Sequence, residues 1–233
     1  MHWLSHKSKA VLLALAFGRA FAEVRTESRV YKHACTSKGP SYSDYEHFQF
    51  RDSDLLDPEA FTVTERLGSG KFSEVMEALD TQYRGHQRYV VLKVLKPTSP
   101  AKVKREVRIL QILGGGMNVI NLEGICRDDD SGTTTLVLEH LGKGLQWLAH
   151  EIPQQQQQQQ QQHRSGRQRS SFKLSMLQIQ LFMYKLLVAL DYSHSCGVMH
   201  RDVKPRNVVI HKQSQQLRLI DWGLGDFYVP GKQ

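Results

Sequence analysis

The sequence predicts an α+β protein, with a strand-rich first half and a second half led by one long helix. Three observations predict it. Strand-type segments follow one another from Phe61 to Leu141 with a single helical segment among them. A glycine-bearing turn at residues 68–70 passes from strand to strand, where a dinucleotide-type loop would pass into a helix. The longest stretch of helical spacing comes only later, in "LSMLQIQLFMYKLLVALDYSHSCG". With 233 residues and 40% apolar composition, the chain can build one or two domains around a real core.

The N-terminus comes first. "MHWLSHKSKAVLLALAFGRAFAEV" places two lysines before the apolar run Ala10–Phe17 and ends on Ala20-Phe21-Ala22, a small-x-small pattern. Residues 1–22 therefore read as a secretory signal peptide, with a start-site artefact or a disordered extension as the alternatives. The apolar run is too short to span a bilayer. Residues 23–60 form an N-terminal segment in which "KGPSYSDYEHFQF" follows neither the helix nor the strand period. The formal net charge of +8 favours acidic partners without choosing among nucleotides, acidic proteins, nucleic acid and anionic membrane, although most such charge is a solvated surface. Cys35, Cys126 and Cys196 show no CxxC pair and no metal-type spacing with histidine, which fits a reduced compartment.

From Phe61 the texture changes. "FTVTERLGSGKFSEVMEALD" alternates on both sides of its glycine turn, and "RYVVLKVLKP" is a compact β-branched strand. "PAKVKREVRILQIL" reads as an amphipathic helix with Val103, Val107, Leu110 and Leu113 on one face. "TTTLVLEHL" is a further buried strand. The glutamine run Gln154–Gln162 and the basic, serine-rich stretch after it have nothing to bury, so residues 152–171 are expected to be a disordered surface insertion. In the long helix, Leu177, Leu181, Tyr184, Leu187 and Leu190 fall near helical spacing, and Gly197 is the expected stop. "VMHRDVKPRNVVI" and "LRLIDWG" follow as two short apolar segments with charged residues at their rims.

Several of these segments carry chemistry. Gly68 and Gly70 let the backbone approach phosphate oxygens, with Ser73 where a third glycine would complete GxGxxG; ordinary hairpins use glycines too. Lys93 stands inside the apolar strand "VVLKVL" and needs a partner or ligand unless it snorkels from an edge. Glu106, thirteen residues on, is a candidate partner, although a glutamate among basic neighbours is also an ordinary surface charge. "HRDVKPRN" is the most specific signal. Asp202 is placed to accept a hydroxyl proton, Lys204 to offset phosphoryl charge and Asn207 to supply a metal oxygen. Asp221, fourteen residues after Asn207, stands where a second metal ligand belongs.

The order of glycine turn, strand lysine, helix glutamate, HRD loop and Asp-x-Gly resembles a eukaryotic protein kinase. Within that family the chain is most similar to the casein kinase II catalytic (alpha) subunits. "DWG" stands where most kinases have Asp-Phe-Gly, and "GSGKFSEV", "KREVRIL", "ALDYSHSCGVMHRDVKP" and "LRLIDWGL" carry the likeness, which covers roughly residues 40–233 apart from the insertion. The resemblance implies a two-lobe protein kinase-like fold within residues 61–233: an antiparallel β N-lobe at 61–138, a hinge at 139–141, and a mainly helical C-lobe beginning at 142. It implies Mg2+-dependent transfer from ATP, or GTP, to Ser or Thr in acidic contexts. Lys93 and Glu106 would set the phosphates, and Asn207 and Asp221 would hold metal. Gly68, Ser69, Gly70, Ser73 and Val75 would cover the nucleotide, with Val91, Val209 and Ile220 around the purine. Leu138 would be the gatekeeper, before hinge residues Glu139 and Leu141. The resemblance further implies acidic protein substrates, pairing with a casein kinase II beta regulatory subunit, no nucleic-acid or membrane partner, and residence in nucleus and cytoplasm. The secretory pathway is the alternative if residues 1–22 act as a signal. "SYSDYE" (Ser41–Glu46) is similar to the part of the family's N-terminal segment that packs on the activation segment.

Two departures bear on function. The family's dense lysine run before the helix glutamate is reduced here to Lys96, Lys102, Lys104, Arg105 and Arg108, which meet an acidic substrate or form a solvated helix face. After "FYVPGKQ" the rest of the activation segment and the later helices are missing, so the C-lobe is expected to be incomplete. This opens a second expectation, a non-catalytic chain that binds nucleotide or a partner protein.

Overall fold

A computed structural model describes residues 55–128, 131–142, 145–147, 174–211 and 213–228, all within one compact unit, Pro40–Gln233. The signal-like residues 1–22, "SYSDYE" and the insertion at 152–171 lie outside the described residues.

The N-terminal lobe is a five-stranded antiparallel sheet in the order β1-β2-β3-β5-β4, formed by β1 (Phe61–Ser69), β2 (Ser73–Asp80), β3 (Arg88–Leu95), β4 (Leu122–Arg127) and β5 (Thr134–Glu139). The predicted strand–turn–strand is present: β1 and β2 pair antiparallel, and the N–H of Gly70 closes the turn on the carbonyl of Ser73 at 2.8 Å. Residues directly opposite in such a ladder share a face. Val75 pairs with Lys93 and Glu77 with Val91 on β2–β3, and Val91 pairs with Leu138 and Lys93 with Leu136 on β3–β5. The expected nucleotide-covering residues Val75, Val91 and Leu138 thus lie on the face that carries Lys93. The opposite face buries Ala78, Val90, Leu92, Cys126 and Val137 as its own apolar cluster, with Phe61 and Met76 packed against it. Period-2 alternation therefore decides which residues meet the cleft.

Helix α1 (Pro100–Leu113) starts on Ser99, with proline at its first position, as a proline without a needed N–H should. It buries Val107, Leu110 and Leu113 as the spacing predicts, with Ile109 and the charged Glu106 besides; Val103 is half-buried. Asn118, in the left-handed region at φ 59°, then turns the chain towards the second lobe. Its side chain donates to the carbonyl of Lys185 at 3.0 Å, and its carbonyl accepts from the N–H of Leu219 at 2.7 Å.

In the second lobe the described residues hold one long helix and five short strands. Helix α2 (Met176–Ser195) opens with a capping box: the Ser175 hydroxyl accepts from the N–H of Gln178 at 3.2 Å, and the Gln178 side chain accepts from the N–H of Ser175 at 2.9 Å. It ends at Gly197, in the left-handed region at φ 72°. The face predicted for α2 requires correction. Leu177 and Leu187 are exposed, while Phe182, Ala189, Tyr192 and Ser193 are buried. Apolar residues surround this helix on nearly every side, so periodicity alone does not select the packed stripe. Tyr192 also explains Gly116, where a Cβ would lie 1.9 Å from the tyrosine ring. The remaining strands form two small sheets. In the first, β6 (Leu145–Trp147) and β9 (Leu217–Leu219) flank β8 (Val208–His211); in the second, β7 (Val198–Met199) pairs with β10 (Asp226–Phe227). Among the described residues no helix is long and apolar enough to cross a membrane.

Candidate active site

The site forms where the cleft face of the sheet meets the loops of the small strands. Lys93 is the link between the lobes. Its ammonium lies 2.7 Å from Glu106 Oε1 on α1 and 2.7 Å from Asp221 Oδ1 after β9. Burial alone would pull the lysine down, but the two carboxylates outweigh it and its pKa stands above the ordinary value. Burial would likewise push Asp221 up; Lys93 reverses this and holds the carboxyl below its ordinary value, so the ionised form is favoured. The alternative readings of Lys93 as a snorkelling edge residue and Glu106 as a surface charge are set aside, since both are buried and paired. Gly223 completes this corner: a Cβ there would meet Glu106 Oε2 at 3.1 Å, so a side chain would crowd the carboxylate.

Asp202 anchors the second group. Lys204 Nζ lies 2.6 Å and Asn207 Nδ2 2.9 Å from its Oδ2, and Asn207 Nδ2 also donates to the Asp202 carbonyl at 2.9 Å. Pro205 opens a short 3-10 turn, Pro205–Asn207, that delivers the buried Asn207 into this network. Two residues bracketing the site hold left-handed backbone, Arg201 at φ 65° and Asp221 at φ 62°. For a non-glycine residue that conformation costs about 1–3 kcal/mol and persists only where surroundings impose it. Around Asp221 the surroundings are visible. Trp222 is fully buried, its indole N–H donates to the Leu219 carbonyl at 3.2 Å, and its ring meets His200 edge-on at 4.5 Å.

His200 is fixed in one tautomer by its contacts. Its Nδ1 accepts from the N–H of Asp202 at 3.2 Å, which leaves the proton on Nε2 to donate to the Ile220 carbonyl at 2.9 Å. Burial lowers its pKa below the ordinary value, against the raising influence of that carbonyl and of Asp221 and Asp202. An unfolded chain would take up a proton near the ordinary value of about 6.5 while the folded chain resists, so stability is complete above that pH and declines below it. Thermal melts should show Tm falling as pH drops below about 6.5, and an NMR titration should place the His200 imidazole lower than that. A midpoint at or above the ordinary value would refute this account.

The roof and floor complete the cleft. Neither Gly68 nor Gly70 adopts left-handed backbone, and a Cβ at Gly68 would meet nothing within 4 Å. Backbone conformation therefore does not require glycine at either position. Lys96 reaches the same turn, donating to the Gly70 carbonyl at 2.9 Å. On the floor lie Val209, buried on β8, and Ile220, whose N–H donates to the Asn207 carbonyl at 2.9 Å. Among the described residues no three His, Cys, Asp or Glu side chains gather into a self-contained metal cage. The oxygen groups of Asn207 and Asp221 instead suit a hard cation that arrives with phosphate oxygens of its own.

Sequence reasoning missed three elements of this site. Asp226 accepts from Arg201 at 2.5 Å and lies 3.7 Å from Arg105 on α1, joining the HRD loop to the helix of Glu106. Arg218 of β9 and Glu139 of the hinge form a pair at 2.8 Å, and His140 and Glu77 another at 3.0 Å. No local spacing signals pairs separated by 79 and 63 residues.

A β-sheet lobe over a loop-built floor, with a lysine bridging two carboxylates beside a hydrogen-bonded aspartate, defines the two-lobe phosphotransferase class. The protein kinase domain family matches residues 61–233, and the chain belongs to that family. Such domains use ATP and Mg2+ and act on protein substrates.

Proposed function

We propose that the chain is a serine/threonine kinase of the casein kinase II type, transferring the γ-phosphoryl group of ATP, or of GTP, to hydroxyls in acidic sequence contexts. The observation that carries this reading is Lys93 held between Glu106 and Asp221 in the cleft where Asp202 is held by Lys204 and Asn207. The tryptophan of "DWG", the serine of "GSGKFSEV" and the other local likenesses support the narrower assignment.

The nucleotide supplies the phosphoryl group, and Mg2+ supplies charge compensation through Asn207 and Asp221. Lys93 offers its ammonium to phosphate oxygens, and Glu106 keeps it in place. Gly68, Ser69, Gly70, Ser73 and Val75 cover the phosphates, while Val91, Leu138, Val209 and Ile220 enclose the base beside the backbone of Glu139–Leu141. Asp202 orients the substrate hydroxyl through Oδ1, the oxygen that neither Lys204 nor Asn207 uses, and accepts its proton as the hydroxyl oxygen bonds to phosphorus and the bond to the leaving diphosphate breaks. Lys204 stands beside Asp202 to offset the charge on the group in transit.

The acidic preference rests on fewer cations than the family's lysine run. Lys96 is engaged by Gly70 and Arg105 lies near Asp226, which leaves the exposed Lys102 and its half-buried neighbour Lys104 to face a substrate. Pairing with a beta regulatory subunit and residence in nucleus and cytoplasm belong to the same reading.

The test is phosphate transfer by the full chain with Mg-ATP and two serine peptides, one acidic and one neutral. Transfer to the acidic peptide that is lost in Lys93→Met supports the proposal. Transfer unchanged in Lys93→Met sinks it. Nucleotide binding without any transfer would favour the non-catalytic reading instead.

A further inference from the structure

Two consecutive hinge residues reach in opposite directions. Glu139, at the end of β5, takes Arg218 of β9 in a fork, with Nε to Oε1 at 2.8 Å and Nη2 to Oε2 at 3.3 Å. Its Oε1 also accepts from the N–H of Asn121 at 2.9 Å, and its own N–H donates to the Asn121 carbonyl at 3.0 Å. His140 turns the other way, its Nε2 lying 3.0 Å from Oε2 of Glu77 on β2. Because His140 Nδ1 accepts from the N–H of Gly142 at 3.1 Å, the ring proton is on Nε2 and donates to the Glu77 carboxylate. The other oxygen of Glu77 accepts from the Thr64 hydroxyl at 2.9 Å, which carries the connection on to β1.

These pairs are built to define geometry. The His140 and Glu77 side chains are 8% and 15% exposed, so the contact forms with much of its solvation lost. A partly buried contact to a carboxylate of this kind adds little net stability, because desolvation of the charge offsets the attraction. An arginine fork fixes both distance and plane where a lysine fixes neither. The field around the lower pair is also tight: Glu123 stands near Glu139 and Lys185 near Arg218. Removing either partner would leave the other facing a like charge.

The strands at the two ends are the ones that matter to the cleft. β2 descends from the glycine turn, and β9 leads from Arg218 to Asp221 three residues later. We infer that Glu139 and His140 form a two-way hinge clamp, in which Glu77–His140 sets the roof and Glu139–Arg218 sets the floor of the nucleotide site. Glu77 and Arg218 are positioning residues, acting through the hinge between them. The inference rests on the kinase reading of this cleft and adds to it what fixes the separation of the lobes.

The test is equilibrium binding of a fluorescent ATP analogue with Mg2+ to the full chain, alongside thermal melting. Glu77→Met and Arg218→Met should each weaken binding about 5- to 10-fold, within the usual range for a lost positioning contact. Arg218→Lys should recover only part of the loss, since a point charge cannot reproduce the fork. The double variant should bind no worse than about 2-fold below the weaker single, because a hinge released at one end has already lost its setting. Singles that lower Tm but bind within 2-fold of the parent would overturn the clamp, as would losses that multiply in the double variant. An unsubstituted chain that binds no nucleotide, with Lys93→Met the same, would overturn the kinase reading itself and this inference with it.

Discussion

Asp202→Asn should reduce phosphoryl transfer about 10³-fold while leaving nucleotide affinity within about 2-fold, since a positioned general base contributes on the order of 10²–10⁴ and alignment of the hydroxyl adds to it. The substitution is nearly isosteric. An asparagine oxygen can still accept from Lys204 and from Asn207, which both bond Oδ2 of the native carboxylate at 2.6 and 2.9 Å. The frame therefore survives and only the capacity to take a proton is lost. Lys93 and its partners Glu106 and Asp221 are untouched, so nucleotide should still bind. The measurement is kcat for ADP release in the presence of peptide, with affinity taken from a binding titration. A variant that keeps more than a tenth of the parent rate would remove Asp202 from the base role.

Trp222→Ala should cost about 3–5 kcal/mol of stability, the range for truncating a large buried aromatic. The side chain is wholly buried, and three features lean on it: the Leu219 carbonyl it donates to, the edge contact with His200, and the left-handed turn at Asp221. Trp222→Phe keeps an aromatic ring and forfeits the indole N–H, leaving the Leu219 carbonyl without that donor, and should cost about 1–3 kcal/mol. Urea denaturation compares the three proteins. If Trp222→Ala fell within 1 kcal/mol of the parent, the buried tryptophan would not be what braces Asp221.

Much of this chain is legible because its signals are short-ranged. The two strands around Gly68 and Gly70, the apolar strand bearing Lys93, and the face of α1 carrying Val107, Leu110 and Leu113 each follow from alternation or helical spacing over a dozen residues. The HRD loop is legible for another reason: its three working side chains lie within six residues, so Asp202, Lys204 and Asn207 meet through one tight turn. Helix α2 is the counterexample. Leu177 and Leu187 fit its period as well as Phe182 and Ala189 do, yet only the latter are buried. Where a helix is apolar all round, the packed stripe is chosen by what lies opposite, and Gly116 against Tyr192 shows that choice being made by a loop far away in the chain.

The sequence by itself determined strands β1, β2, β3 and β5, the two helices, the family and the residue types the chemistry needs, because each is written in local pattern; β4, β6 and β10 carry no such pattern. Only the tertiary structure decided who meets whom. Lys93 finds Glu106 thirteen residues away and Asp221 128 residues away, and Glu139 finds Arg218 across 79. Asp226 ties the HRD arginine to the helix of Glu106, although nothing in its surroundings in the chain marks it for that task. Partners at such separations are selected by the path of the backbone and by the cost of leaving a buried charge alone, and neither quantity exists until the chain has folded.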